Sequence, residues 1–231
     1  MRLGHKMTID MNIGFYSCGY AQIFRGGNCQ IHAFEAVSKT HQRLQHNVNA
    51  NGFEASIKAY HIALGEKPET LKMYISGEGE TSNAVSEMNI RQEDADDMAS
   101  KKGTTEHVEM TTLDHWQEKV NLSQCDFVKI DVEGAELFVF RGGRRFLDQF
   151  RPIIYGEFNT YWLQNVGLTF GDVMTFFDSF DYRYFWSRKR HFHQVTASFL
   201  EGSIDHGDYL LVPKEKVGLL APAVSFGRRL R

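Results

Sequence analysis

No apolar run in this 231-residue chain approaches the roughly 20 residues that span a bilayer, so no transmembrane segment is expected. The opening stretch, Met1 to Asp10, is too short and too polar to read as a secretory signal. Cysteine is scarce and odd in number: Cys18, Cys29 and Cys125 stand far apart, form no CxxC pair and build no disulfide framework. A reducing cytoplasm is the simplest location for such a chain. Cys125, just ahead of an apolar stretch, reads as a small core residue. Neither sign of charge dominates. The formal net charge of −3 gives no ground for nucleic acid or an anionic membrane as partner, and Arg188-Lys189-Arg190 and Arg228-Arg229-Arg231 read as solvated surface. There is no internal repeat, and no GxGxxG turn, which argues against a nicotinamide-dependent enzyme. Protein partners leave no mark in the sequence.

What is present is ordinary for a globular domain, 42% hydrophobic and 24% charged residues, in a chain long enough for one substantial core. Strand and helix signals alternate, which predicts a mainly parallel sheet covered by helices. The expected order is a strand at 7–10, a helix at 15–24 stopped by Gly26-Gly27, and a strand at 30–34 ending at Glu35. A helix capped by Ser38 follows, closed by Asn51-Gly52, then a strand over 55–64 and an added strand at 71–75. The polar stretch 77–106 reads as a long loop, followed by a strand at 106–111 and a helix at 113–120 capped by Thr112. After a strand at 126–131, one helix is expected over 134–150, with Gly142-Gly143 marking close packing in its middle. A strand at 153–158, a helix at 170–180 and two antiparallel closing strands at 182–186 and 209–212 complete the order. The apolar segment Val217 to Pro222 is expected to pack on the domain.

Chemistry concentrates in Asp126-Phe127-Val128-Lys129-Ile130-Asp131-Val132-Glu133-Gly134-Ala135-Glu136, a short buried strand that runs into an acidic turn and then a helix. In open α/β sheets, ligands bind outside the carboxyl ends of the strands. Asp131, Glu133 and, one strand on, Glu157 therefore fall where a positioned carboxylate can take a proton from a hydroxyl. Crowding of these acids should raise at least one pKa, and Lys129, two residues from Asp131, shares its strand face. Glu136 reads first as a helix-start acid. Earlier, Gly14 opens a helix and Glu35 follows 21 positions later, the spacing of a ribose-binding carboxylate. A surface glutamate remains the other reading of Glu35. Asp131, Glu133 and Glu157 could hold a hard cation and His191 and His193 share a strand face, but no third ligand is evident and no metal is expected. Asn159, Tyr161 and Trp162 follow the Glu157 strand and could line an acceptor pocket.

The run Lys129 to Glu136 resembles the signature of the FkbM-type methyltransferases, which methylate hydroxyl groups with S-adenosyl-L-methionine. Further likenesses are Asn12-Ile13-Gly14-Phe15-Tyr16-Ser17, Ile31 to Ala36, Arg43 to Gly52, Ala63-Leu64-Gly65, Thr112-Leu113-Asp114 and Arg151 to Glu157. Together they cover about residues 7 to 213. The family's Asp-x-Gly-Ala-Asn-x-Gly turn is altered: either two residues are deleted after Asp10, or Asp10-Met11 stands in for Gly-Ala. The resemblance implies a Rossmann-like class I methyltransferase fold. That is a sheet of about seven strands, mostly parallel, with an antiparallel closing strand and helices on both faces. It implies a domain over 1–214 with a tail at 215–231, in a chain shortened or mis-started at its beginning. It also implies that Asn12, Gly14, Tyr16, Ser17, Glu35, Ala63 and Leu64 hold the cofactor. Asp131 would sit between cofactor and acceptor, with Glu133, Glu157 and Lys129 completing the catalytic group. The acceptor would be a sugar, glycan or small metabolite. A second reading stays open: a methyltransferase fold with an impaired cofactor site that binds a ligand or partner without turnover.

Overall fold

The computed structural model describes residues 6–10, 13–27, 29–75, 84–86, 104–188, 191–196 and 206–220, with the side chains of 6–10, 84–86 and 206 excepted. Parts of the 77–106 stretch and of the C-terminal tail lie outside these residues. The strands do not form one seven-stranded sheet. Among the described residues, eight strands make a main sheet in the spatial order 191–195, 182–188, 206–213, 153–159, 127–131, 6–10, 31–35 and 57–61, and four others make a second sheet in the order 63–64, 104–111, 69–75 and 84–86.

The parallel part of the main sheet, running to one edge at β3, comprises β1 (Lys6–Asp10), β2 (Ile31–Glu35), β3 (Ile57–His61), β8 (Phe127–Asp131) and β9 (Ile153–Asn159). β12 (His206–Pro213) runs antiparallel between β9 and β10 (Tyr182–Arg188), as the two closing strands predict. β11 (His191–Val195) extends that edge as a hairpin with β10, which places His191 and His193 far along the edge from the acids. Side-chain alternation divides the strands between two cores. Ile31 and Ala33 pack beneath α1 (Phe15–Ile23) and α2 (Ser38–Ala50) with Ala21, Leu44 and Val48. Val128, Ile130, Ile154 and Phe158 face the other way. They meet Trp116 of α3 (Leu113–Lys119), Leu137 and Phe140 of α4 (Glu136–Arg141), Phe146 of α5 (Arg144–Phe150) and Phe177 of α7 (Phe170–Asp178). Helices thus cover both faces, and α6 (Thr160–Asn165) follows β9 directly.

Three expectations need correction. The strand read over 55–64 is two strands. The chain leaves the main sheet after His61, and β4 (Ala63–Leu64) pairs with β7 (Thr104–Thr111) of the second sheet. That sheet continues through β5 (Glu69–Ile75) to β6 (Ala84–Ser86); Leu71, Met73 and Ile75 alternate inward against Val108 and Met110, so it carries its own small core. The helix read over 134–150 breaks into α4 and α5 because two chain segments cross there. A Cβ on Gly142 would lie 2.1 Å from the carbonyl oxygen of Gly65, and one on Gly143 would lie 2.8 Å from Leu113 Cδ2. Asp114 ties the crossing: its carboxylate accepts the N–H groups of Arg145 (3.1 Å) and Phe146 (2.8 Å), while its own N–H donates to Gly142 (3.0 Å). The Thr-Leu-Asp run is therefore structural, with Thr112 capping α3 and Leu113 fully buried. Finally, Ser38 is not the cap of α2 but its first residue. Glu106, on β7, reaches across to accept the Ser38 N–H at 3.1 Å, and bonds its hydroxyl as well. His61 lies 3.8 Å from Glu106 and stacks on His41, whose pKa is held down by burial and then by the His61 charge.

Val217 and Leu220, in a 3-10 turn over Lys214–Leu220, pack against Phe185, Leu210 and Val212, as the apolar tail predicts. Cys125 is buried in the main core. Among the described residues, no helix is long and apolar enough to cross a membrane.

Candidate active site at the carboxyl edge

The registers of the central strands bring acidic positions to one level. Asp10 pairs with Asp131, Ile130 pairs with Gly156 so that Asp131 and Glu157 stand side by side, and Glu157 pairs with Asp208. Glu35 ends β2 one step beyond the Ile9–Phe34 pair. Paired residues of a sheet point to the same face, so the sequence-predicted acids of β2, β8 and β9 do converge on one edge.

Below that edge sits one cation. Lys129 is 1% exposed, and its ammonium donates to Asp131 Oδ2 (3.3 Å) and to the Ile130 carbonyl (3.1 Å). The Nζ lies 4.9 Å from the Tyr16 ring centroid and 5.5 Å from that of Tyr155. A buried ammonium needs such partners, and aromatic faces supply part of what water would. Lys129 therefore joins β8, β9 and the first turn of α1, and fixes Asp131, its partly exposed partner. Burial, then Asp208, raises the Tyr155 pKa and keeps the phenol neutral.

Beyond Asp131 the chain makes a tight turn. Glu133 has φ +50° and Gly134 φ +96°, both left-handed. Gly134 is required twice over: a Cβ there would lie 2.8 Å from the Trp162 backbone of α6. Glu136 closes the turn, its Oε1 accepting the N–H groups of Val132 (3.0 Å) and Gly134 (3.3 Å). Burial first, then the charges of Asp131, Glu136 and Glu157, push the Glu133 pKa up to about 7. Burial also pushes Glu136 up to about 7, against the hydrogen bonds from the turn. A carboxyl titrating there is half ionised at neutral pH, which suits proton transfer. On the far side, Asn159 caps α6 by accepting the Tyr161 N–H at 2.9 Å, and leaves the Tyr161 ring 45% exposed beside the turn.

The other half of the edge, around β1 and β2, is quieter. Gly14 has φ +91° at the head of α1, and a Cβ there would lie 2.6 Å from Leu44 Cδ1. Asn47 donates to the neighbouring Ile13 carbonyl at 2.8 Å, which fixes the turn. Tyr16 stacks on Tyr20 and lies over Lys129. Ser17 is buried, and Glu35 is 1% exposed with Oε1 accepting the Val37 N–H at 2.8 Å. Ala63 and Leu64 form β4, with Leu64 pointing into the main core and Ala63 packed against the core of the second sheet. Asn12 lies outside the described residues. Sequence reasoning took Tyr155 as one of the late aromatics of the core and passed over Asp208. Tyr155 was legible as the residue two before Glu157 on the same face, whereas Asp208 joins only once β12 is paired with β9. Among the described residues, no group of three His, Cys, Asp or Glu is arranged to hold a metal ion.

Comparison with known proteins adds a family and a fold. Residues 9–184 match the methyltransferase FkbM domain. Among solved structures, the chain is similar to methyltransferase FkbM from Methylobacillus flagellatus KT, at 16% identity and a TM-score of 0.52 over 92% of this chain and 44% of that one. It is also similar to the METTL16 MTase domain (11% identity, TM-score 0.49, 91% of this chain and 59% of that one). A Streptococcus agalactiae protein of the NADB-Rossmann superfamily gives 12% identity and a TM-score of 0.48, over 90% of this chain and 61% of that one. No curated protein matches. The chain spans less than half the length of the M. flagellatus protein.

Proposed function

The chain belongs to the methyltransferase FkbM domain family, and from that membership we propose that it transfers a methyl group from S-adenosylmethionine to a hydroxyl of a sugar, glycan or small metabolite. The observation that carries this reading is the acid turn: Glu133, in a left-handed conformation beside Asp131 and Glu157, has a pKa raised to about 7.

The residues present fit the cofactor. The left-handed turn at Gly14 leaves no room for a side chain, Glu35 ends β2 at the spacing from Gly14 expected of a ribose-binding carboxylate, and the acids along the edge suit a sulfonium cation. Asn12, Gly14, Tyr16, Ser17, Glu35 and the backbone of Ala63 and Leu64 would hold it. Bound there, S-adenosylmethionine supplies an electrophilic methyl group. Asp131, steadied by Lys129, lies between that half of the edge and the acceptor half. Glu133 takes the proton of the acceptor hydroxyl, Glu157 orients that hydroxyl, and Tyr161 and Trp162 wall the acceptor side. Catalysis of this kind is mostly alignment, which a rigid sheet edge provides.

Glu35 also favours a second reading, a fold that binds without turnover, because its carboxyl is already buried on a backbone partner. Calorimetric titration with S-adenosylmethionine and S-adenosylhomocysteine decides between the two. The enzyme reading expects micromolar binding, roughly −8 kcal/mol, and label transfer from methyl-labelled cofactor to a panel of neutral hydroxyl acceptors. Absence of binding by a folded sample selects the second reading.

A further inference from the structure

Glu136 reads from sequence as an acid at a helix start, and helix electrostatics would explain it if it lay in solvent. It does not. Its side chain is 1% exposed, and Oε2 is buried with no hydrogen-bond partner. Burying a carboxyl costs far more than a helix start returns. α4 is six residues long and could be opened by an exposed acid or by serine, so the burial needs another reason.

The reason lies in what Oε1 holds. Its two donors, the N–H groups of Val132 and Gly134, bracket Glu133. Glu133 at φ +50° and Gly134 at φ +96° form a backbone that non-glycine residues avoid, so something must over-determine it. Trp162 pins the turn from α6, and Glu136 pins it from α4. Removing either support would let Glu133 relax toward an ordinary conformation and swing its carboxyl off the edge.

The geometry points to Glu136 as the positioning residue of the acid turn, holding the Val132–Gly134 backbone so that the Glu133 carboxyl stands beside Asp131 and Glu157. This rests on the reading of Glu133 as the base. The charged groups acting on Glu133 are Asp131 from β8, Glu157 from β9 and Glu136 from α4, with Lys129 paired to Asp131 behind them, while α6 presents Trp162, which does not titrate. Glu136 therefore acts on Glu133 through the backbone and, as one of its carboxylate neighbours, through charge.

Two variants separate these contributions. Glu136→Gln keeps an oxygen that accepts from Val132 and Gly134 but removes the charge; Glu136→Ala removes both. Amide exchange at Val132 and Gly134 should be near native in the Gln variant and ~100-fold faster in the Ala variant, with kcat falling about 100-fold in the Ala variant and the pH profile of kcat moving to lower pH in the Gln variant. Carboxyl NMR should show Glu133 titrating lower in the Gln variant than in the native chain, a shift that a purely structural acid would not produce. Protected amides in a folded Ala variant overturn the proposal. So does an unmoved Glu133 titration in the Gln variant. A Glu133→Gln protein that transfers methyl at the native rate, with the amide results as expected, removes the base reading and leaves the clamp standing.

Discussion

Glu35 and Glu133 are both glutamates at the carboxyl edge of one sheet, yet they live in opposite conditions. Glu35 ends a strand in ordinary backbone and is buried on the Val37 N–H. Glu133 sits in left-handed backbone, crowded by Asp131, Glu136 and Glu157, with its proton loosened only near pH 7. The same contrast separates the halves of the site. Around β1 and β2 Glu35 accepts the Val37 N–H from ordinary backbone, and the left-handed residue at the head of α1 is a glycine. Around β8 and β9 a buried lysine, two acids of raised pKa and a non-glycine left-handed residue are packed together. Holding a ligand by shape asks little of a carboxylate beyond being in place, whereas accepting a proton requires an environment that disfavours charge.

The contrast can be broken most sharply at Glu133. Glu133→Gln should lower methyl transfer by ~10²–10⁴-fold without loss of thermal stability, measured by turnover and by melting at pH 8. A native rate would make the two halves equivalent. Next comes pH. The folded pKa of Glu133 and of Glu136 lies above the ordinary 4.5, so the folded state binds protons that the unfolded state releases. Their contribution to stability is complete below about pH 4.5 and is lost as pH rises through about 7. The loss is at most roughly 3 kcal/mol for each group. Denaturant unfolding at pH 5 and pH 8 should show the fall, and Glu133→Gln with Glu136→Gln should flatten it. If Glu133 is the base proposed above, turnover should run the opposite way, since a base works only as a carboxylate.

Glycines sharpen the comparison at smaller scale. Gly134→Ala meets backbone of Trp162 and should cost about 3 kcal/mol, whereas Gly14→Ala meets the movable end of Leu44 and should cost about 1–2 kcal/mol; chemical denaturation of both variants ranks them. The smallest effect belongs to Glu35→Ala. It should weaken cofactor binding about tenfold while costing about 1 kcal/mol of stability, chiefly by orphaning the Val37 N–H. Unchanged calorimetric affinity in that variant would remove Glu35 from the ribose assignment.

Most strands of the main sheet were legible, though not their order across it, because each is short, apolar and bounded by turn residues, and β8 in particular is a run covered on both faces. The acids at its end were legible for the same reason: alternation and strand length fix where a strand stops. The second sheet was not. Residues 71–75 and 106–111 each read as strands, but nothing local says that they pair with each other and with Ala63-Leu64 rather than with the main sheet. The break at Gly142 was legible as a weakness, while its cause, the Gly65 carbonyl, lies 77 positions earlier in the chain. The cap of α2 comes from Glu106, 68 residues away. The role of Glu136 stayed hidden because first-turn acids are common in helices and burial has no local signature. What escapes the sequence at the second sheet, the Gly142 break and the start of α2 is a contact between distant segments; at Glu136 it is burial.

Lys129 has a consequence of another kind. Its ammonium is roofed by the Tyr16 ring, at the head of α1, so an amine-reactive reagent reaches it only when that helix start lifts. Its rate of acylation, followed by mass spectrometry against the exposed lysines as an internal clock, therefore times the opening of the molecule at that end. A ligand seated over Gly14 and Tyr16 would slow that clock without touching the lysine, which makes this buried side chain a silent witness to occupancy of that end of the sheet.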